Sequence, residues 1–454
     1  MKKYDAIMIG FGKGAKTLAG KLAAGGSKVA MTEKDAGMYG GTCINVGCIP
    51  SKSLVRSSGL SALDAEAPFE EKAEKYRLAI EEKRRVTGML RGKNYSKLAD
   101  HPNIDVILGK ASFVSNTVVQ IETESETFEI EGEKIFINTG GTPVIPAIEG
   151  LSGNPYVYTS AALMDLDQLP QHLVIIGGGY IGLEFASMYA GFGAKVSVVQ
   201  DGDTFIPRED RDIAEAIKGA LEEKGVSFYL GAKTEKVEAG EGRAVVRLNW
   251  QGSDTALEAE AVLVATGRKA NTAELQANQA GVELDKRGAV IVDENLKTTA
   301  ENIWAMGDAK GGLQFTYVSL DDFRIIWSQM NGGQYSQAAR KNVPYSVFIT
   351  PSFSRVGLNE EEARKAGYNV KIAKLPAAAI PKAQVLKSPV GLLKAVIDAD
   401  TDRILGAMLF CEESYEMINT VKLAMDLGAD YHVLKNQIFT HPTMSEALND
   451  LFEI

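Results

Sequence analysis

Short apolar runs that end in glycine and continue into mixed, helix-favouring stretches recur along this chain, the pattern of strand, tight turn and helix. Residues 4–9 are an apolar strand, Gly10-Phe11-Gly12-Lys13-Gly14-Ala15 a turn, residues 16–24 a helix, and residues 28–32 a second strand that ends on Glu33. The pattern returns with a strand at 173–176, the turn Gly177-Gly178-Gly179-Tyr180-Ile181-Gly182, a helix at 183–192 and a strand at 195–199. Between these units, residues 68–98 are charged and helix-favouring and residues 104–137 alternate as paired strands do, which reads as scaffolding. Two more apolar strands run into Thr139-Gly140 and Thr266-Gly267, and a third, Ile303-Trp304-Ala305, runs into Met306-Gly307-Asp308. From Asn342 the texture changes to strands at 346–349, 391–397 and 404–411 and helices at 415–427 and from Ser445 onward.

Each glycine turn predicts a dinucleotide site. The glycines let the backbone approach a pyrophosphate, which then rests on the helix N-terminus, and an acidic residue about 20 positions on binds a ribose hydroxyl. Glu33 stands 21 residues beyond Gly12 and fills that place; Gln200 stands 21 beyond Gly179. A neutral Gln removes the charge that would repel a 2′-phosphate, yet Asp201 and Asp203 follow and only Arg208 is basic nearby, so NADH and NADPH both remain open. Two such sites fit a tightly held flavin and an exchangeable nicotinamide. Asp308, at a strand end, is a suitable acceptor for a ribityl chain, and Lys13 stands inside the first turn, where small residues are usual.

At 454 residues the chain predicts several domains, and 45% hydrophobic with 24% charged residues describes a globular protein with no apolar run of membrane-spanning length. The start, Met1-Lys2-Lys3-Tyr4-Asp5, leads straight into a strand, so a cytoplasmic location is expected. A net charge of −10 argues against nucleic acid as a partner. The chemistry centres on Gly40-Gly41-Thr42-Cys43-Ile44-Asn45-Val46-Gly47-Cys48-Ile49-Pro50-Ser51-Lys52, where two cysteines stand five apart beside a cation. If this segment coils, the thiols can bridge, and a helix N-terminus or Lys52 favours the thiolate. Buried structural thiols or half a metal site are the alternatives, although a closed zinc site wants four ligands and only Cys411 and four scattered histidines remain. No metal is expected. Near the C-terminus, His441-Pro442-Thr443-Met444-Ser445-Glu446 offers an imidazole as proton shuttle, Glu446 to orient it and Ser445 as a helix cap.

Taken together, Gly10-x-Gly12, the Cys43/Cys48 pair, Tyr180, Asp308 and His441-Pro442-Thr443-x-x-Glu446 resemble the class I FAD-dependent pyridine nucleotide–disulfide oxidoreductases, end to end. That family includes glutathione reductase and dihydrolipoamide dehydrogenase. Within it the chain looks most similar to the bacterial reactive-chlorine-resistance flavoproteins, also described as hypothiocyanous acid or copper(II) reductases. Met38 to Asn45, Gly311 to Tyr317, Asn342 to Phe348 and Gln437 to Pro442 carry that likeness.

The resemblance implies an α/β fold with two Rossmann-like domains and a C-terminal α+β dimerisation domain. FAD would take residues 1–145 and 268–335, NAD(P) 146–267, and the interface 336–454. It implies a homodimer in which Cys48 faces the flavin, Cys43 faces substrate, and His441 with Glu446 comes from the other subunit. FAD would be held by Gly10, Gly12, Ala15, Glu33, Gly41, Thr42, Lys52, Thr139, Gly140 and Asp308. NADH or NADPH would be held by Gly177, Gly179, Tyr180, Gly182, Gln200 and Gly267. Lys52 would pair with Glu184 beside flavin N5, and Tyr180 would gate the nicotinamide pocket. Mercuric reductases carry a C-terminal cysteine pair and lack the His-Pro-Thr signature, whereas this chain ends Asn449-Asp450-Leu451-Phe452-Glu453-Ile454, which disfavours mercury.

The expected activity is electron transfer from NAD(P)H through FAD and the Cys43/Cys48 pair to a small oxidant, hypothiocyanous acid first. Lipoamide, glutathione disulfide, copper(II) and mercuric ion are the rival substrates. A metal-responsive binding protein with vestigial cofactor sites is the rival class, and the complete glycine turns count against it.

Overall fold

From Ala6 onward, strand Lys2–Ile9 is buried on both faces, as a central parallel strand must be. It pairs in parallel with Val29–Glu33 on one side and Thr127–Ile137 on the other, placing Ile9 opposite Thr32 and Ile137. The sheet runs Ile104–Leu108, Val29–Glu33, Lys2–Ile9, Thr127–Ile137, Val118–Glu122, Lys110–Phe113, with Ile303–Ala305 also pairing in parallel on Thr127–Ile137. Several strands therefore finish at one edge, where Gly10, Asn138 and Met306 follow; in open α/β sheets ligands bind at such carboxyl ends. Helix Lys13–Ala24 covers one face through Ala15, Leu18 and Ala19, packed with Phe323, Ile325 and Ile326 of helix Thr316–Met330.

The computed structural model describes residues 1–454, and these fall into two units. The first holds residues 1–53, 79–144 and 267–340 and contains the sheet above. The second holds 54–78, 145–266 and 341–454. Its parallel sheet is ordered Val226–Leu230, Lys195–Gln200, His172–Ile176, Ala261–Val264, Val157–Tyr158, beside a three-stranded antiparallel sheet over 233–259. A further antiparallel sheet, Tyr345–Val347, Phe353–Gly357, Ile404–Phe410, Leu392–Asp398, Val370–Pro376, packs its apolar face on helix Ser414–Asp426.

Both glycine turns are followed at once by their helices. Lys13 is the first residue of a helix that Gly12 caps, so it does not stand inside the turn as the spacing predicts. Tyr180 is likewise the first residue of helix Tyr180–Gly191, three positions earlier than expected. Two strands of the last sheet escape sequence patterning. Phe353–Gly357 is buried yet carries Ser354 and Arg355, and its polarity is answered internally, Ser354 Oγ lying 2.7 Å from Ser346 Oγ and 3.0 Å from Ser414 Oγ. Val370–Pro376 is an edge strand that ends in proline, where no further ladder bond is needed.

Candidate functional site

Gly40 and Gly41 have φ of +97° and +83°, a conformation L side chains avoid, and a Cβ on Gly41 would stand 3.0 Å from Gly12 Cα. The close approach brings the cysteine segment against the first glycine turn. The chain then forms a short helix, Thr42–Asn45, and starts a second, Cys48–Ala62, with Cys48 as its first residue. Both thiols are free and hydrogen-bonded to each other, and Cys48 Sγ lies 3.5 Å from Thr316 Oγ1 at the start of helix Thr316–Met330. Hydrogen bonding from Cys48, helped by Thr316 and the charge of Lys16, brings the Cys43 thiol down to about 6. Cys48 is pushed up, because it holds the proton that Cys43 gives up and is also desolvated, despite its place at a helix N-terminus and the favourable charge of Lys52 one turn on. The pair thus releases one proton readily and keeps the second, the signature of two coupled acids. Cys411 is fully buried beside Met417, and burial raises its thiol: a core residue.

Around the first turn the chain builds a cradle. Gly10 has φ +96°, and a Cβ there would lie 2.5 Å from the Asn138 carbonyl oxygen. The Asn138 side chain knits the edge together: Oδ1 accepts from Ala15 N at 3.1 Å and Nδ2 donates to the Met306 carbonyl at 2.8 Å. Ala15 is fully buried, so it serves helix packing. Glu33 accepts from Phe11 N at 3.2 Å and Lys34 N at 2.9 Å, and burial raises its carboxyl. Thr139 Oγ1 is buried with no partner in the chain, an orphaned hydroxyl beside Gly140, whose φ is +74° and whose absent Cβ would meet Thr42 Oγ1 at 3.7 Å. Asp308 follows Gly307, its carboxylate 4.0 Å from Arg268 Nη2 and raised by burial. Orphan hydroxyl, glycine cradle and strand-end carboxylates fit an FAD whose pyrophosphate rests on helix Lys13–Ala24.

The second turn repeats this geometry. Gly177 has φ +115°, its missing Cβ would lie 2.5 Å from the Ala265 carbonyl oxygen, and one on Gly182 would lie 2.1 Å from that of Gly177. Gly179 is open, with nothing near its missing Cβ, and caps helix Tyr180–Gly191. Gln200 ends its strand and donates through Nε2 to Gly202 O at 3.0 Å and Thr204 O at 2.9 Å. Gly267 has φ +112°, belongs to the first unit and accepts from Val144 N at 2.9 Å. Glu184 Oε1 accepts from Phe348 N at 2.8 Å.

Sequence reasoning missed two partners of Tyr180. Its ring stacks on Tyr345 with centroids 5.5 Å apart, and both hydroxyls donate to buried Glu209, whose other oxygen lies 3.3 Å from Arg355 Nη1. Burial and the Glu209 charge hold both phenols well above their usual range. Glu209 and Tyr345 lie 136 residues apart, so no local pattern joins them.

His441 Nδ1 stands 2.8 Å from Glu446 Oε2, and the other carboxylate oxygen accepts from Thr443 N at 3.2 Å. The side chain is 70% exposed. The last helix is Ala447–Leu451, later than predicted, and Ser445 does not cap it: Thr443 Oγ1 accepts from Glu446 N at 3.3 Å.

Comparison with known proteins agrees with this geometry. A family model described as pyridine nucleotide-disulphide oxidoreductase matches residues 4–322, and one described as that family's dimerisation domain matches 343–452. The chain is 50% identical over 455 residues to the probable pyridine nucleotide-disulfide oxidoreductase RclA of Escherichia coli (strain K12), covering 100% of both. It is 34% identical over 450 residues to a mercuric reductase of Lysinibacillus sphaericus, covering 98% of this chain and 81% of that one. A solved structure described as the Cu(II) complex of HOCl-induced flavoprotein disulfide reductase RclA from Escherichia coli superposes with a TM-score of 0.94 at 49% identity, covering 100% of this chain and 99% of that one. The chain accordingly belongs to the pyridine nucleotide-disulphide oxidoreductases, enzymes that use FAD and NAD(P)H to act on sulfur groups, and within them it is a flavoprotein disulfide reductase of the RclA type.

Proposed function

We propose that this enzyme reduces hypothiocyanous acid or a related small oxidant of the reactive chlorine and thiocyanate group, in defence against oxidative stress. The observation that carries the reading is the Cys43 thiol, held near pH 6 by its hydrogen-bonded partner Cys48. When bound at the two glycine turns, NAD(P)H and FAD would supply the hydride and the electron pair that return the cysteine pair to its thiol form. Cys43 as thiolate attacks the electrophilic sulfur of the oxidant, forming a Cys43–S–SCN bond and expelling hydroxide, which leaves as water once protonated. Cys48 then gives up its proton and attacks Cys43 sulfur, closing the disulfide and releasing thiocyanate. Two thiols are oxidised and one hypothiocyanous acid is reduced, so the electrons balance. The high affinity of Cys48 for its proton keeps the second attack waiting until the first has removed the negative charge beside it.

In this reading Gly10, Gly12, Glu33, Gly41, Thr42, Thr139, Gly140 and Asp308 hold FAD, and Gly177, Gly179, Gly182 and Gln200 hold the nicotinamide dinucleotide. Residues 1–145 and 268–335, 146–267, and 336–454 then act as flavin, nicotinamide and interface domains. Lys52, Glu184 and Tyr180 keep the roles that the family resemblance gives them. The enzyme works as a homodimer, with His441 and Glu446 handling protons for the thiols of the other subunit; the match to a dimerisation domain supports this, as do Leu423, Leu427 and Ile438, exposed at 61%, 75% and 97%. The cytoplasm suits this chemistry, and no helix is long and apolar enough to cross a membrane. A second reading, copper(II) reduction at the same thiols, is favoured by the copper complex of the relative.

Initial rates of NADH and NADPH oxidation with hypothiocyanous acid, lipoamide, glutathione disulfide and copper(II) test the proposal. Fast turnover with hypothiocyanous acid and slow turnover with the disulfides is expected. The reverse order overturns the substrate assignment.

A further inference from the structure

Helix Phe69–Ala99, whose sequence reads as scaffolding, turns one face onto the cysteine segment through Arg91, Asn94 and Tyr95, three positions that adjoin on a helix surface. The Tyr95 ring packs against Tyr39 at a tilt of 38°, with centroids 4.7 Å apart. Arg91 Nε donates to Asn45 Oδ1 at 2.9 Å, and Asn45 Nδ2 in turn donates to Tyr39 O at 2.9 Å and Gly41 O at 3.0 Å. Asn94 Nδ2 donates to Leu90 O at 2.7 Å, which aims its oxygen at Lys16 Nζ, 2.6 Å away, and the same ammonium donates to Gly40 O at 3.0 Å. The segment 39–45 is therefore pinned at its start by Tyr95 and Lys16 and at its end by Arg91.

The two cations have neutral partners only. Lys16 bonds a carbonyl and an amide, Arg91 an amide, and neither has a carboxylate at ion-pair distance. A desolvated ammonium with no counter-charge is costly, and burial, with Lys13 and Lys97 adding repulsion, lowers Lys16 to about 8. An anion forming nearby relieves that cost, and Cys43, three residues beyond Gly40, is a group able to become one; its charge raises Lys16 and the charge of Lys16 lowers it. The other groups facing the thiols are Thr316, which lowers both, and Lys52 and Tyr317, which interact with Cys48.

We infer that Lys16, aimed by Asn94, is a positioning residue for the reactive thiol: it pins the Gly40 end of the cysteine segment and supplies the counter-charge of the Cys43 thiolate. This rests on the reading of Cys43 as the attacking nucleophile. The role is distinct from that of Lys52, which the sequence offers as the cation beside the pair and which acts on Cys48.

The test is iodoacetamide alkylation of Cys43 against pH in the FAD-loaded Cys48→Ser protein, alone and combined with Lys16→Met, Lys16→Arg or Asn94→Asp. Lys16→Met is expected to move the alkylation midpoint up and to slow alkylation at pH 6 by about threefold to tenfold. Asn94→Asp, which sets a carboxylate against the ammonium, moves it the same way, and Lys16→Arg restores most of the loss. Profiles for Lys16→Met and Asn94→Asp that superimpose on the parent, at equal FAD content, overturn the inference and leave the thiol chemistry standing. With the Cys48 hydrogen bond gone, the Cys48→Ser parent is expected to titrate above the reduced wild type; a parent at full FAD content whose Cys43 is not alkylated at any pH overturns the nucleophile reading and this inference with it.

Discussion

Asp322→Asn keeps the shape of a fully buried side chain and deletes its charge. Asp322 Oδ2 accepts from Gly307 N at 2.7 Å and lies 3.7 Å from Lys310 Nζ, while Oδ1 takes Arg340 Nη2 at 2.5 Å. Gly307 opens the turn Gly307–Lys310 that carries Asp308, so the same carboxylate sets the charge balance and the position of a proposed flavin ligand. Removing one partner of a buried ion pair costs about 3–5 kcal/mol, because the other charge stays desolvated. Arg340 retains Asp321, with Nε 2.7 Å from Oδ2, whereas Lys310, 6% exposed, loses the one carboxylate within ion-pair distance. The lower end, about 3 kcal/mol, is therefore expected. Of the three tryptophans, Trp304 and Trp327 belong to the first unit and Trp250 to the second, so in a Trp250→Phe background the fluorescence follows unfolding of the first unit in urea. With a slope of about 2 kcal/mol per molar, the midpoint should fall by about 1.5 M. FAD content should fall as well. A midpoint shift below about 0.5 M with full FAD content would refute the reasoning.

In the reduced enzyme, Cys43 alkylation should rise with pH through about 6 and then level off, since the thiolate is the reacting form. At pH 7 it should run about twofold to threefold faster than an ordinary thiol of pKa 8.5, the larger thiolate fraction being partly offset by the lower nucleophilicity of a more acidic thiol, and a midpoint above 8 would contradict the hydrogen-bonded pair. His441→Ala should lower turnover by about a hundredfold or more and Glu446→Gln by less, with FAD content and Cys43 alkylation unchanged in both; undiminished turnover would remove the imidazole from the mechanism. Gly182→Ala places a Cβ 2.1 Å from the Gly177 carbonyl oxygen and must displace the second turn. The KM for NAD(P)H should rise about tenfold or more while Cys43 alkylation stays as it was, and an unchanged KM would place nicotinamide elsewhere.

What could be read from the chain were features local in sequence. Each dinucleotide unit is a contiguous strand, turn and helix, and the acidic residue of the first lies only 21 positions beyond Gly12, so periodicity and spacing sufficed. The His441–Glu446 pair was legible for the same reason. Helix starts were read late because Lys13 and Tyr180, unusual so close to glycine, were assigned to the turns. The side chains that tune the site were not legible. Lys16 and Asn94 are 78 residues apart, Tyr180 and Tyr345 165, Asn138 and Met306 168, and only the folded sheet edge and helix faces bring them together. Ser354 and Arg355 hid a buried strand because polar residues satisfied by one another leave no hydrophobic signature.

The central claim is that Cys43 and Cys48 together pass two electrons from this chain to a small oxidant. Enzyme reduced with NAD(P)H, freed of excess reductant and mixed with one equivalent of hypothiocyanous acid should lose two titratable thiols per chain and release one thiocyanate, and Cys43→Ser should do neither within the same time. Equal oxidant consumption by Cys43→Ser, or loss of thiols without thiocyanate release, would contradict it.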